Sequence, residues 1–178
     1  MLKQFLPMDY VPSIFHITPE YLKEKNVKGI ITDLDNTLVE WDRPEATPEI
    51  TEWFKKMKDH GIHIVIVSNN SEKRVQRFAD PLGIPYIFKA RKPIRKSFRK
   101  ALSLLDLKQE QVVVIGDQLL TDIFGGNRSG FHTILVVPVT QTDGLATRFN
   151  RSLERKILRY FERKGLMNWG DSTNGIGK

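Results

Sequence analysis

Five short, almost wholly apolar runs recur along the chain: KGIITDLD (28–35), IHIVIVSNN (62–70), IPYIFKA (84–90), VVVIGD (112–117) and HTILVVPV (132–139). A strand with one wet face alternates apolar and polar residues, whereas Val/Ile runs without alternation are buried on both faces, as in a parallel sheet covered by helices. The intervening segments carry helical spacing instead. TPEITEWFKKMKDHG offers Thr47 as N-cap, Pro48 at the first helical position and Gly61 past the end, with Ile50, Trp53, Phe54 and Met57 on one stripe. NSEKRVQRFADPLG aligns Val75, Phe78, Ala79 and Leu82, and KPIRKSFRKALSLLDL aligns Ile94, Phe98, Ala101, Leu102 and Leu105. The alternating β/α series predicts an α/β fold, a doubly wound, Rossmann-like parallel sheet of five strands. It reads as one domain, with an N-terminal extension (1–28), a core (29–140), and a basic amphipathic helix running into a loose tail (141–178).

Polar residues collect where these strands end. Asp33 and Asp35 close the first run, Ser68, Asn69 and Asn70 the second, and Asp117 the fourth. Doubly wound sheets bind ligands beyond the C-terminal ends of their strands, where the strand order reverses. In an extended chain the Asp33 and Asp35 side chains lie roughly 6.6 Å apart on one face, at about 3.3 Å of rise per residue. At an effective dielectric near 20 their charges repel by about 2.5 kcal/mol. A hard divalent cation relieves that repulsion, and Mg²⁺ characteristically takes one or two carboxylates, keeps several waters and leaves room for a phosphate. A metal-ligating carboxylate can also serve as a nucleophile. Ser68 and Lys92 supply the donors that phosphoryl oxygens need. Each has a plainer reading. Ser68 and Asn69 suit a turn after a strand, Lys92 belongs to a basic run, and Asp122 suits the start of a helix.

Composition and charge narrow the setting. The chain has 178 residues, 40% hydrophobic, enough for one real core, and it has no cysteine, which rules out disulfides and thiolate metal sites and fits a reducing cytoplasm. Pro7, Asp9 and Pro12 interrupt the N-terminus before a signal-peptide apolar region can form, and no run reaches the length of a membrane span. The net charge of +7 is unevenly spread: residues 89–100 and 148–164 together carry +12, leaving −5 for the rest. Concentrated positive charge favours an anionic partner.

DLDNT at 33–37, SNN at 68–70, KP at 92–93 and GDQLLTD at 116–122 resemble, in order and spacing, the four motifs of the haloacid dehalogenase (HAD) superfamily of phosphohydrolases. The resemblance implies that Asp33 attacks phosphorus and becomes an aspartyl phosphate, while Asp35 protonates the leaving oxygen and later activates water. It implies Mg²⁺ held by Asp33, the Asp35 backbone carbonyl and Asp117, a phosphoryl group held by Ser68 and Lys92 with Asn69 as a further candidate, and Asp122 steadying Lys92 or a metal-bound water. The four histidines, His16, His60, His63 and His132, have no ligand-like spacing and read as structural.

Many HAD enzymes close an inserted cap over a small substrate. Here the spacing from Asp35 to Ser68 and from Ser68 to Lys92 leaves room for no cap. A capless site favours a phosphate presented by something large. Leu145, Phe149, Leu153, Ile157, Leu158 and Phe161 recur at helical spacing among Arg148, Arg151, Arg155, Lys156, Arg159, Arg163 and Lys164. Such a helix can lie on an anionic membrane at its inner face, or pack its apolar stripe on the sheet. FLPMDYVPSIFHI, DLDNTLVEWD and TRFNRSLERK further resemble the YqeG-type branch of HAD subfamily IIIA, which is similar to mitochondrial phosphatidylglycerophosphate phosphatases. That implies a lipid-borne phosphomonoester substrate. Two alternatives stand beside it: a soluble sugar or nucleotide phosphate, and a basic RNA- or ribosome-associated protein on the same fold.

Overall fold

A computed structural model describes residues 2–140 and 145–166, with side chains described over 3–140 and 152–166. The five apolar runs form β2 (Gly29–Thr32), β3 (His63–Val67), β4 (Tyr86–Ile87), β5 (Val112–Gly116) and β6 (His132–Val136). A sixth strand, β1 (Asp9–Val11), comes from the N-terminal segment and pairs with β6, so the expected count of five is corrected to six. This strand has only three residues, each half-buried, and Pro7 and Pro12 bracket it; edge strands have no need of an apolar run. The sheet is parallel throughout, in the order β1-β6-β5-β2-β3-β4.

Because successive residues of a strand face opposite ways, β2 divides two cores. Ile30, with Ile64, Ile66, Val113 and Ile115, faces α2 (Pro48–Asp59) and α3 (Glu72–Ala79); Ile31, with Val65, Val112 and Val114, faces α4 (Arg95–Leu105). The N-cap expected at Thr47 is made, its side chain accepting from the Ile50 amide at 3.2 Å, and Ile50, Trp53, Phe54 and Met57 are all buried. Ser71 caps α3 in the same way. Ile94 departs from the stripe expected of α4: it precedes the helix's first turn, points outward and is 55% exposed.

The N-terminal segment is more than an extension. Thr18 caps a short helix, α1 (Pro19–Glu24), and Ile14, Ile17, Leu22 and Val27 join the α2-facing core. Trp53 donates its indole N–H to the Ile17 carbonyl at 2.9 Å, tying this segment to α2. Among the described residues neither crossover, β2 to β3 or β3 to β4, carries an inserted domain.

After a short helix, α5 (Phe124–Arg128), the final helix, α6 (Leu145–Arg163), packs Ile157, Leu158 and Phe161 against Leu119, Ile123 and Leu135. Leu153, expected on that stripe, is instead 44% exposed, while Glu154 is buried and accepts from the Leu120 amide. The side chains of Leu145, Arg148, Phe149 and Arg151, and the tail GDSTNGIGK, lie outside the described residues. No helix among the described residues is long and apolar enough to cross a membrane.

Since Leu22 is fully buried, Leu22→Ala is expected to cost about 3 kcal/mol in urea unfolding. A loss under about 1 kcal/mol would mark the segment as peripheral to the core.

Candidate active site

The site begins where β2 stops. Thr32 is registered with Ile66 of β3 and Ile115 of β5, and the Asp33 amide makes one more ladder bond, 3.0 Å to the Ile115 carbonyl. The chain then turns rather than staying extended. The Leu38 amide returns to the Leu34 carbonyl at 3.0 Å, and Asn36 sits at φ +63°. Asp35 therefore lies in a turn, and the spacing expected from an extended strand does not apply. Thr37 donates from its hydroxyl to Asp117 Oδ1 at 2.9 Å, joining this turn to the end of β5.

Beyond β5, a turn of π-helix (Leu119–Ile123) brings Asp122 back beneath the strand end, where Asp122 Oδ2 accepts from the Gln118 amide at 3.1 Å. Gly116 permits this approach: a Cβ there would lie 2.3 Å from the Asp122 carboxyl carbon. On the other side of β2, the Ser68–Asn70 loop is bonded to the segment after β4. Ser68 and Asn70 carbonyls accept from the Ala90 and Lys89 amides at 3.0 and 2.9 Å. Asn69 Oδ1 accepts from the Lys92 amide at 2.7 Å, just before a cis Lys92–Pro93 bond. This aims Lys92 inward, where its ammonium lies 2.8 Å from Asp33 Oδ1 and 2.7 Å from Asp122 Oδ1.

Asp33, Asp35, Ser68, Asn69 and Lys92 line one cleft of about 340 Å³, together with Trp41 and Gln118. Asp117 and Asp122 lie buried beside it, and carboxylate oxygens of Asp33, Asp117 and Asp122 fall within 4.8 Å of one another. A larger groove of about 990 Å³ opens between the N-terminal segment and α6, but no cluster of carboxylates lines it. Ser68 Oγ accepts from the Asn70 amide at 3.1 Å, which leaves its hydroxyl proton to donate. Asn69, expected at the phosphate, lines the cleft but directs its amide to the Lys92 backbone. The four histidines are exposed and none lines the cleft.

Asp33, Asp117 and Asp122 each offer a carboxylate oxygen from which one divalent cation could be held, with the Lys92 ammonium against two of them. The donors are all hard oxygens, which suits Mg²⁺ and offers nothing to soft metals. Burial alone would push the Lys92 ammonium towards neutrality, but Asp122 and Asp33 reverse this and hold it charged, above the ordinary lysine range. Burial also raises Asp122, to about 6, against the pull of Lys92. Asp35 is raised too, first by burial, with Asn70 and Arg74 opposing and the charge of Asp33 adding.

The repulsion between the first two acids has a relief that sequence reasoning did not locate. Asp33 has Lys92, while Asp35 has Arg74, at 2.9 Å from the guanidinium, and Asn70, at 2.9 Å from the side-chain amide. Arg74 also reaches the Pro44 carbonyl at 3.3 Å, so it ties Asp35 to the loop before α2. Its only signal in the sequence was its place one turn into α3, within a mixed-charge stretch that reads as a solvated face.

A sheet whose reversal point gathers an aspartate at the end of its central strand, a serine at the next and two further acids on the other side has the arrangement of a ligand site in a doubly wound α/β protein. Residues 22–130 match the haloacid dehalogenase-like hydrolase family. The chain belongs to that family and is a phosphatase of the HAD superfamily. It is 65% identical over 170 residues to a Bacillus subtilis protein named probable phosphatase YqeG, covering 95% of this chain and 99% of that one. It is 27% identical to phosphatidylglycerophosphate phosphatase 1 of Arabidopsis thaliana, over 92% of this chain but only half of that longer protein. Among solved structures, a cobalt-bound deoxy-D-mannose-octulosonate 8-phosphate phosphatase from Haemophilus influenzae shares the fold, with a TM-score of 0.53 and 18% identity over 64% of this chain and 70% of that one.

Gly116→Ala tests the packing beneath the site. The new methyl forces Asp122 away from Lys92, so unfolding is expected to cost about 2 kcal/mol, with loss of most phosphatase activity. An unchanged urea midpoint and full activity would show that Asp122 can move without consequence.

Proposed function

We propose that the protein is an Mg²⁺-dependent phosphomonoester hydrolase that works through an aspartyl phosphate and acts on phosphatidylglycerophosphate. The observation that carries the reading is Asp33. It is fixed by the sheet at the cleft's end, has Lys92 at 2.8 Å, and stands within carboxylate reach of Asp117 and Asp122. Asp33 and Asp117, with the Asp35 backbone carbonyl, would hold the metal, which would withdraw charge from the phosphoryl oxygens when bound. Ser68 donates to a phosphoryl oxygen and Lys92 offsets charge on Asp33 and the phosphate. Asp122 keeps Lys92 in place.

In the first step an Asp33 oxygen bonds to phosphorus while the bond to the leaving oxygen breaks, and Asp35 gives that oxygen its proton. In the second, water attacks phosphorus as Asp35 takes a water proton, and the bond to Asp33 breaks to release inorganic phosphate. The lipid assignment is supported by the Arabidopsis relative's activity, by the lack of an inserted domain in either crossover among the described residues, and by the basic segment beside Lys92. A soluble substrate is the second reading, favoured by a 29% identical glyceraldehyde 3-phosphate phosphatase of Pyrococcus furiosus that matches 63% of this chain and 35% of that protein.

Phosphate release with Mg²⁺ from phosphatidylglycerophosphate in mixed micelles, against para-nitrophenyl phosphate and a panel of soluble esters, decides between them. Wild type is expected to prefer the micellar lipid, and Asp33→Asn to lose at least about a thousandfold in kcat. Better turnover of soluble esters overturns the lipid assignment. Salt-sensitive RNA binding without hydrolysis of any ester overturns the enzymatic one.

Arg74 tests the role of Asp35. Without its guanidinium, Asp35 loses its fixed orientation towards the leaving oxygen, and positioned acids contribute on the order of a hundredfold or more. Arg74→Ala should lower kcat on an alkyl phosphate about tenfold or more, yet barely affect para-nitrophenyl phosphate, whose leaving group needs no proton. Arg74→Lys should restore part of the loss. Equal losses on both esters would assign Arg74 to folding alone.

A further inference from the structure

The rim of the cleft presents apolar and cationic side chains that the catalytic reading leaves unused. Between β4 and α4 the backbone is bonded to the Ser68–Asn70 loop through the Lys89 and Ala90 amides. Within that constraint Lys89 and Arg91 adopt φ of +44° and +55°, a conformation that side chains other than glycine enter at a cost. The result is an alternation. Ala90 and Lys92 go inward, while Lys89, Arg91, Ile94, Arg95 and Lys96 are exposed. Residues 84–105 contain no acid. Immediately past Lys92, a recess of about 600 Å³ is walled by Ile94, Arg95, Lys96, Arg99 and Arg128. Trp41, which lines the cleft with Lys92, is 42% exposed, and Ile94, on the neighbouring recess, is 55% exposed among the cations.

We propose that this rim, Ile94 and Trp41 set among Lys89, Arg91, Arg95 and Lys96, docks the protein on an anionic lipid bilayer with its cleft open towards the headgroups. The proposal rests on the phosphatase reading for its purpose, not for its chemistry. Cations are attracted to the negative surface potential of anionic lipids, and an indole and an aliphatic side chain beside them fit the boundary between headgroups and acyl chains. Trp41 offers a base a single ring, whereas single-stranded nucleic acid is held by successive aromatic platforms along the strand, and the aliphatic Ile94 among the cations suits acyl chains, so a lipid surface fits the rim better than RNA. The described part of α6 is the weaker candidate for the same task, because Ile157, Leu158 and Phe161 are already packed on the protein.

Co-sedimentation with vesicles tests the surface. Wild type is expected to partition onto phosphatidylglycerol-rich vesicles, not onto pure phosphatidylcholine, and to be released by salt. Ile94→Glu, and Arg91→Glu combined with Arg95→Glu, should each weaken partitioning about tenfold or more while leaving para-nitrophenyl phosphate hydrolysis within about twofold of wild type. Arg155→Glu with Arg159→Glu on α6 should leave partitioning close to wild type. The proposal is overturned if the rim variants partition as wild type does, if the α6 variant alone abolishes binding, or if wild type prefers single-stranded RNA to vesicles and Ile94→Glu is without effect. Binding through the rim by a protein that hydrolyses no phosphomonoester would uphold the surface and overturn the catalytic reading instead.

Discussion

A single buried ammonium organises the site. Lys92 lies between Asp33 and Asp122, and these groups come from the segment after β4, the end of β2 and the turn after β5. None of the three tolerates burial alone, because desolvating an unpaired charge costs several kcal/mol, on the order of 3–5 when a buried pair is broken. Each segment is therefore held in place by the others. The Asn69 clamp on the Lys92 amide and the missing side chain at Gly116 together let one cation sit between two acids.

The same cluster gathers carboxylate oxygens of Asp33, Asp117 and Asp122 within 4.8 Å of one another, with Lys92 against Asp33 and Asp122. An arrangement built only for stability would balance its charges, since isolated buried ions are destabilising. Three carboxylate oxygens this close could hold a cation, and on the proposed reading the neighbouring donors, Ser68 and Lys92, would receive an anion. A hard cation and a phosphate together satisfy both, which neither a purely structural ion-pair network nor a binding groove for neutral molecules requires.

The sheet and the site were legible to different degrees, for physical reasons. Strands β2 to β6 were readable because burial on both faces leaves unbroken Val/Ile runs, and α2 because its cap, its proline and its stripe agree. β1 and α1 were not, since an edge strand of three half-buried residues and a six-residue helix carry no periodicity. At the site, Asp33, Asp35 and Ser68 were legible as polar residues at strand ends and Lys92 through the KP pair at 92–93, and the structure brings the four to one cleft. Arg74 and Asn70 were not assigned because their partner, Asp35, is more than thirty residues away in the chain, and a long-range ion pair leaves no local trace. Ile94 was placed in the core by helical periodicity, but the helix starts one residue later, and the misfit itself identifies a side chain held at the surface.

The two acids that begin the site are thus separated into a fixed half and an adjustable half. Asp33 is bonded to β5 through its amide and shares a buried lysine with Asp122, so its position is that of the sheet. Asp35 lies in a turn, and its partner Arg74 also binds the Pro44 carbonyl, while Arg77 on the same helix reaches Glu45. The loop before α2 and the Asp35 carboxylate consequently share their restraints. If Asp33 is the nucleophile and Asp35 the proton carrier, as proposed, in-line attack demands that the first hold still, whereas the second must face a departing oxygen and then an arriving water. Placing the first on the sheet and the second on a loop tied by an ion pair would meet both requirements within one cleft, without an inserted domain among the described residues.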